Sequence, residues 1–195
     1  MAEIKSICVF CGSSTGDDPV YLEAARAFGE ELVREKIRLV FGGGNIGMMG
    51  AISNVVQNAG GTVLGIIPKF LVAREHAAEG SYELIVVRDM HERKRIMVER
   101  ADAFVALPGG IGTLEELVEQ LTWFQLDRHK KPILLANIKG FWNPLLDLFA
   151  HLQKENFIYG DLKFLVTDRI EDIVPKLRAA AERHGEAAKA VAEGM

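Results

Sequence analysis

A chain of 195 residues, 49% hydrophobic and 26% charged, can bury the core of one globular domain. Its net charge of −4 lacks the basic footprint of general nucleic-acid binding, and no apolar run approaches the ~20 residues that span a bilayer. No signal-peptide pattern precedes the first apolar segment, so the expected compartment is the cytoplasm.

Residues 4–10 predict a first strand. Residues 17–36 predict a long helix, with Pro19 in its first turn and Leu22, Ala25, Phe28 and Leu32 along one face. Residues 37–41 predict a second strand, after which Gly42-Gly43-Gly44-Asn45-Ile46-Gly47 turns into a helix ending at Gly60-Gly61. A third strand at 62–67 is closed by Pro68, and 68–80 predicts a loop with one helical turn. A fourth strand at 82–87 and a helix at 89–100 follow. Residues 104–107 predict a fifth strand, buried on both faces and ended by Pro108. Gly109, Gly110 and Gly112 then let the backbone turn sharply, and Thr113 opens a helix to Leu126 with Leu114, Leu117, Val118 and Leu121 on one face. A sixth strand at 132–136, a helix at 144–155, a seventh strand at 163–167 and a helix at 170–183 complete the pattern.

Strands alternating with helices imply a parallel sheet covered on both faces. The predicted fold is α/β: a Rossmann-like doubly wound parallel sheet of about seven strands in three α/β/α layers. One nucleotide-binding domain is expected over 1–183, with 184–195 as an Ala- and Glu-rich C-terminal tail.

Three glycine-containing turns follow strands of this pattern, at Cys11-Gly12-Ser13-Ser14, Gly42 to Gly47 and Gly109 to Gly112. In a parallel sheet all three share the carboxyl edge, where ligands bind. Strand, glycine turn and helix N-terminus together aim free N–H groups at one spot and favour an anion, with a phosphate the leading candidate. A single such turn is equally a tight chain reversal. Gly42-x-Gly44-x-x-Gly47 matches a dinucleotide fingerprint, but it follows the second strand, and the next strand ends in Pro68-Lys69 without a ribose-binding acid. No glycine turn ends in Gly-Lys-Ser/Thr, which excludes a P-loop.

Cys8 and Cys11 are spaced C-x-x-C, but no second pair completes a zinc site, and residues three apart on a strand face opposite ways. His91-Glu92 lacks a second His at i+4, that position being Arg95; no metal is expected. On the same helix Met90, Arg93, Lys94 and Met97 form one stripe, which reads as a solvated charged face or as a functional pair of cations. Thr113 and Glu116 fit a capping box. An ionised Glu116 beside a bound phosphate could also stabilise an oxocarbenium ion and orient water, as hydrolysis of a sugar-phosphate glycoside requires. The residues alone leave both roles open. Trp123 and Phe124 likewise serve either core packing or an interface.

Pro108-Gly109-Gly110-Ile111-Gly112-Thr113-Leu114-Glu115-Glu116 resembles the P-G-G-x-G-T-x-x-E signature of the LONELY GUY (LOG) family, cytokinin riboside 5′-monophosphate phosphoribohydrolases often mislabelled lysine decarboxylases. Cys8 to Ser14, Phe41 to Gly50, Gly65 to Lys69 and Met90 to Lys94 resemble family segments in the same order, so the likeness covers residues 4 to 175. It implies hydrolysis of the N-glycosidic bond of an N6-modified adenosine 5′-monophosphate, yielding free base and ribose 5-phosphate. Arg93 and Glu116 match the family's catalytic pair. Lys94, Gly109, Gly110, Ile111, Gly112, Thr113, Leu114 and Glu115 match nucleotide-binding residues, and Glu75 a further substrate contact. Ser14, Gly43, Gly44 and Met90 belong to the same implied substrate-binding set. Ala73 and His76-Ala77-Ala78 depart from the common plant pattern, which bears on base specificity, and Ile111 stands where the family often has Tyr or Phe.

The resemblance further implies no cofactor, a small-molecule nucleoside monophosphate as ligand, and a homodimer with partner residues near the active site. Two alternatives stand beside it: a nucleosidase of broader purine or pyrimidine monophosphate preference, and a non-catalytic nucleotide or molybdenum-cofactor carrier, which would not need Arg93 and Glu116. Nothing in the chain looks like a pyridoxal-phosphate lysine site.

Overall fold

The computed structural model describes residues 3–76, 82–158 and 162–193. Seven strands form one sheet: β1 (Ser6–Phe10), β2 (Arg38–Phe41), β3 (Val63–Pro68), β4 (Glu83–Val87), β5 (Ala103–Ala106), β6 (Ile133–Ala136) and β7 (Leu165–Thr167). Every pairing is parallel, in the order β4-β3-β2-β1-β5-β6-β7. The helices are α1 (Pro19–Arg34), α2 (Gly47–Asn58), α3 (Met90–Glu99), α4 (Ile111–Gln125), α5 (Asn143–Lys154) and α6 (Ile173–Glu193). Doubly wound α/β architecture follows from the apolar runs: parallel strands need helical crossovers, and crossovers bury both faces.

Alternation along the strands divides the core. Ile7, Val9, Leu39 and Val105 face α1, α2 and α6, packing against Phe28, Leu32, Ile52 and Leu177. Cys8, Phe10, Val40 and Phe104 face α3, α4 and α5, packing against Met97, Leu117, Leu121 and Phe149. Cys8 and Cys11 are free, buried thiols in these two opposite layers. Phe124 is core, and Trp123 packs half-buried against it.

Several bounds differ from the sequence expectation. The loop after β3 does not: it holds the one helical turn expected, a 3-10 turn at Lys69–Leu71, while residues 77–81, with Ala77 and Ala78, lie outside the described residues. Helix α4 begins at Ile111 rather than Thr113, and its buried face is Thr113, Leu117, Gln120, Leu121 and Phe124. Val118, expected on that face, is exposed, because the stripe that meets the sheet is centred on Leu117, Gln120, Leu121 and Phe124 and Val118 stands at its outer edge. The last helix follows a 3-10 turn at Ile170–Asp172 and continues past Arg183 to Glu193, so residues 184–193 are helical. Ala-, Glu- and Lys-rich sequence has high helix propensity, and between Gly185 and Glu193 it holds no breaker. Among the described residues no helix is long and apolar enough to cross a membrane.

Chain progression runs outward from β1 to β4 on one side and from β5 to β7 on the other. The β1–β5 junction is therefore the topological switch point, where the connecting loops diverge and leave a crevice.

Candidate active site at the sheet switch point

A cavity of about 370 Å³ lies beyond the carboxyl ends of β1 and β5. Its floor is the start of α4. Gly110 is the N-cap and offers no side-chain cap, and Leu114 N donates to Gly110 O at 3.0 Å. The amides of Ile111, Gly112 and Thr113 thus precede the first intrahelical bond and carry the positive end of the helix dipole. A Cβ on Gly110 or Gly112 would meet nothing within 4 Å, so these glycines leave open space beside the amides. Gly109 differs: a Cβ there would overlap Thr113 Oγ1, so glycine is what lets Thr113 fold back under the turn. Gly12 N donates to Pro108 O at 3.1 Å and ties the two loops across the switch point.

The capping-box expectation fails. Thr113 is the third residue of the helix, not its cap, and Glu116 sits beyond the first turn. The Glu116 carboxylate instead faces Arg93, with Oε1 3.8 Å from Arg93 Nη2 and side chains 12% and 7% exposed. Arg93 reaches this point because α3 is set at its start: Asp89 Oδ1 accepts from Glu92 N at 2.9 Å, and Glu92 Oε2 accepts from Arg88 N at 3.0 Å. Arg93 Nη2 then donates to Gly42 O at 3.2 Å. A Cβ at position 42 would overlap that guanidinium nitrogen, so the first glycine of the second turn makes room for Arg93 rather than for a pyrophosphate.

Electrostatics make Glu116 unusual. Burial pushes its carboxyl up to about 7, Arg93 pulls it down, and Glu115 and Glu75 push it further up. It is therefore not the fully ionised glutamate expected from the sequence but one poised near neutrality. Glu75 enters from the loop after β3, held by Asn45 N donating to its backbone carbonyl at 2.9 Å. Burial raises its carboxyl as well, opposed by Arg93 and Arg74. Glu75 Oε2 and Arg93 Nε are buried without a hydrogen-bond partner. Orphaned polar atoms on two residues of one cavity wall are what a polar ligand would satisfy.

The structure brings Glu75, Met90, Arg93, Gly110, Ile111, Gly112, Thr113, Glu115 and Glu116 to the cavity wall. Gly43 and Gly44 stand behind it: Gly43 has φ +77 and its carbonyl accepts from Tyr82 Oη at 3.0 Å, while a Cβ on Gly44 would lie 2.9 Å from Glu75 Oε2. Gly109 packs under Thr113. Ser14, Leu114 and Lys94 are not part of the wall; Ser13 is there in place of Ser14, and the Lys94 amine turns to Glu115 and Glu119. Cys11 and Gly12 line the cavity from the turn expected at this sheet edge, and Met49 and Leu71 line it beyond the expected site residues. For Gly12 the signal was present in its own turn. Leu71 gave none, because a lone leucine in a loop carries no period. Among the described residues no lysine lines the cavity, and no group of His, Cys, Asp and Glu side chains could hold a metal ion. A second cavity of about 380 Å³, bounded by Ile4, Asp102 and Pro132, lies at the opposite edge and shares no residue with this one.

A family model described as possible lysine decarboxylase matches residues 49–177. The chain is 52% identical over 157 residues to cytokinin riboside 5′-monophosphate phosphoribohydrolase LOG7 of Arabidopsis thaliana, covering 80% of this chain and 72% of that one. It is 46% identical over 185 residues to LOG1 of the same name and plant, covering 94% and 87%. A probable enzyme of that name from Oryza sativa subsp. japonica, LOGL2, is 43% identical, covering 94% and 76%. Among solved structures, the molybdenum cofactor binding protein of Rippkaea orientalis aligns with TM-score 0.67 at 23% identity, covering 91% of this chain and 97% of that one. The Moco carrier protein of Chlamydomonas reinhardtii aligns with TM-score 0.69 at 21% identity, covering 93% and 99%. These two share the fold.

Proposed function

We infer the activity of this chain from one premise: it belongs to the LONELY GUY family, to whose cytokinin riboside 5′-monophosphate phosphoribohydrolases it is 43–52% identical over most of its length. The reaction is hydrolysis of the N-glycosidic bond of an N6-modified adenosine 5′-monophosphate to the free base and ribose 5-phosphate. The observation that carries it is the placement of Arg93 and Glu116, facing each other beside an uncapped helix N-terminus. In this reading the 5′-phosphate rests on the amides of Ile111, Gly112 and Thr113 with the Thr113 hydroxyl. That puts the sugar against Glu116. As the glycosidic bond lengthens, its electron pair leaves with the base and C1′ becomes cationic. Ionised Glu116 stabilises that charge and takes a proton from the attacking water, whose oxygen bonds C1′, and the proton passes on to the departing base. Arg93 orients the nucleotide and holds Glu116 in place, and Glu75 meets the base or ribose through its orphaned oxygen.

The family description does not transfer as chemistry. Pyridoxal-phosphate decarboxylation needs a Schiff-base lysine, and the cavity wall supplies none. A broader nucleoside-monophosphate preference remains the second reading, because the apolar side chains at the wall, Met49, Leu71, Met90 and Ile111, could pack on a base without reading its hydrogen-bonding edge. The deciding experiment is a panel of nucleoside monophosphates, isopentenyladenosine monophosphate included, scored for free base and ribose 5-phosphate. Preferential cleavage of the N6-prenylated nucleotide is expected. Equal cleavage across purines and pyrimidines favours the broader reading, and tight binding without release of base favours a carrier.

The enzyme is further proposed to work in the cytoplasm as a homodimer. Two buried thiols left unpaired suit a reducing compartment. Exposed apolar side chains at Val118 on α4 and Leu126 just past its end, together with Ile111 at the cavity rim, suit a second copy of the chain.

A further inference from the structure

The turn that holds Arg93 has no side chains to anchor it. Gly42, Gly43 and Gly44 follow β2 in succession, and a run of glycines has the largest backbone freedom to lose. Hydrogen bonds to its carbonyls therefore set its place. Gly42 O accepts from Arg93 Nη2 at 3.2 Å, and Gly43 O accepts from Tyr82 Oη at 3.0 Å. The two carbonyls belong to consecutive planar peptide units that pivot on Gly43 Cα, where φ is +77. Shifting one shifts the other.

Tyr82 reaches this turn across β3. It stands just before β4, the edge strand, and its ring passes over Gly65. A Cβ at position 65 would lie 2.7 Å from Tyr82 Cε2 and 2.9 Å from Gly43 Cα, so that glycine opens the gap in which ring and turn meet. The ring also tilts against Phe41, with centroids 5.6 Å apart. Burial raises the Tyr82 hydroxyl above its ordinary 10, so it stays protonated and donates. Tyr82 is not among the residues that line the cavity. On the other flank of the turn, Asn45 N holds the Glu75 carbonyl, and Gly44 lies against the Glu75 carboxylate. One turn thus touches both Arg93 and Glu75, and Tyr82 braces it from outside the site.

We propose that Tyr82 is a positioning residue for the hydrolysis: its hydroxyl fixes the glycine turn and, through Gly42 O, sets the Arg93 guanidinium against Glu116. The proposal rests on the reading of Arg93 and Glu116 given above. Misplacing a reacting group by an ångström can cost about 100-fold in rate, even when the change lies far from the chemistry. Arg93 also pulls the Glu116 carboxyl down, so a displaced guanidinium lets it rise. Also facing Glu116 are Lys94 from α3, Glu115 from its own helix and Glu75 from the loop after β3, with the Cys8 and Cys11 thiols beneath.

The test uses Tyr82→Phe, which keeps the ring and removes one hydroxyl, alone and combined with Arg93→Lys. Turnover of AMP and of the best nucleotide of the panel is measured, and Glu116 is titrated by carbon NMR of labelled carboxylates without substrate. In Tyr82→Phe, kcat is expected to fall about five- to tenfold with KM within about threefold of wild type. The Glu116 titration is expected to move up by a few tenths of a unit, on the order of what a weakened ion pair allows. Added to Arg93→Lys, the same change should cost less than about twofold, because residues that act through one another are not additive. An equal loss in both backgrounds would show that Tyr82 does not act through Arg93 and overturn the proposal. A tenfold rise in KM at unchanged kcat would overturn it as well, by making Tyr82 a substrate contact. A lower melting temperature with kcat and the Glu116 titration unchanged would reduce Tyr82 to a brace for the edge strand. If wild type releases no base from any nucleotide, the reading of the reaction fails separately. The Glu116 titration then decides on Tyr82: an upward shift upholds its role, and an unchanged titration ends it.

Discussion

At Glu116, burial and chemistry pull in opposite directions. Its carboxyl is raised to about 7 from an ordinary 4.5, mainly by burial. Between those values the folded protein holds a proton that the unfolded chain has lost, so stability falls as pH rises through this window. The loss amounts to about 3 kcal/mol, complete once pH passes the folded value. Glu116→Gln keeps the shape and removes the titration. It is expected to melt roughly 5 °C or more above wild type at pH 8, with the difference shrinking by pH 5. The same variant should lose at least about 100-fold in turnover, as removal of a general base does. Wild-type kcat/KM should rise with pH through about 7, following ionisation of Glu116. Near-normal release of base by Glu116→Gln would remove Glu116 from the chemistry. A melting difference independent of pH would show that its carboxyl is not held neutral by burial.

Helix α4 shows which parts of the site were legible in sequence and which were not. An apolar run, a proline, three glycines and a helical period are local signals, and they located the strand, turn and helix correctly. They misplaced the helix start, because a Thr with Glu three residues on fits a capping box as well as it fits a second turn. The difference lies in what the first N–H groups face, which is not local. Arg93's partners were equally out of reach: its bond to Gly42 O spans 51 residues. Three glycines of the turn also read alike, although Gly109 is required for packing and Gly112 faces open space. Gly112→Ala tests that distinction. An alanine there fits without overlap, lowers the entropy of the unfolded chain and should raise stability by about 0.5 kcal/mol. It also adds a methyl group to the wall proposed to cradle the phosphate, so KM for AMP should rise roughly five- to tenfold with a smaller change in kcat. An unchanged KM would place the phosphate elsewhere.

Across the whole molecule, the strand order makes the site a property of the topology. Only at the β1–β5 junction do the chain's two halves diverge, and the ends of β1, β2 and β5 with the starts of α3 and α4 meet there. That geometry leaves one flank of the cavity to α4, whose outer side carries Val118 at 40% exposure, with Leu126 at 64% just past its end and Ile111 at 83% on the rim. Phe124, the aromatic a partner would otherwise use, is committed to the core. A second copy covering these side chains would bury apolar surface and close the rim in one step. Light scattering of wild type should therefore give twice 21.5 kDa. Val118→Asp with Leu126→Asp should give a monomer, since two charges on an apolar surface must be desolvated to pair. Neither position lines the cavity, so catalytic loss in the monomer would report the missing partner. A double variant that stays dimeric puts the interface on another face, and a fully active monomer makes each cavity complete within one chain.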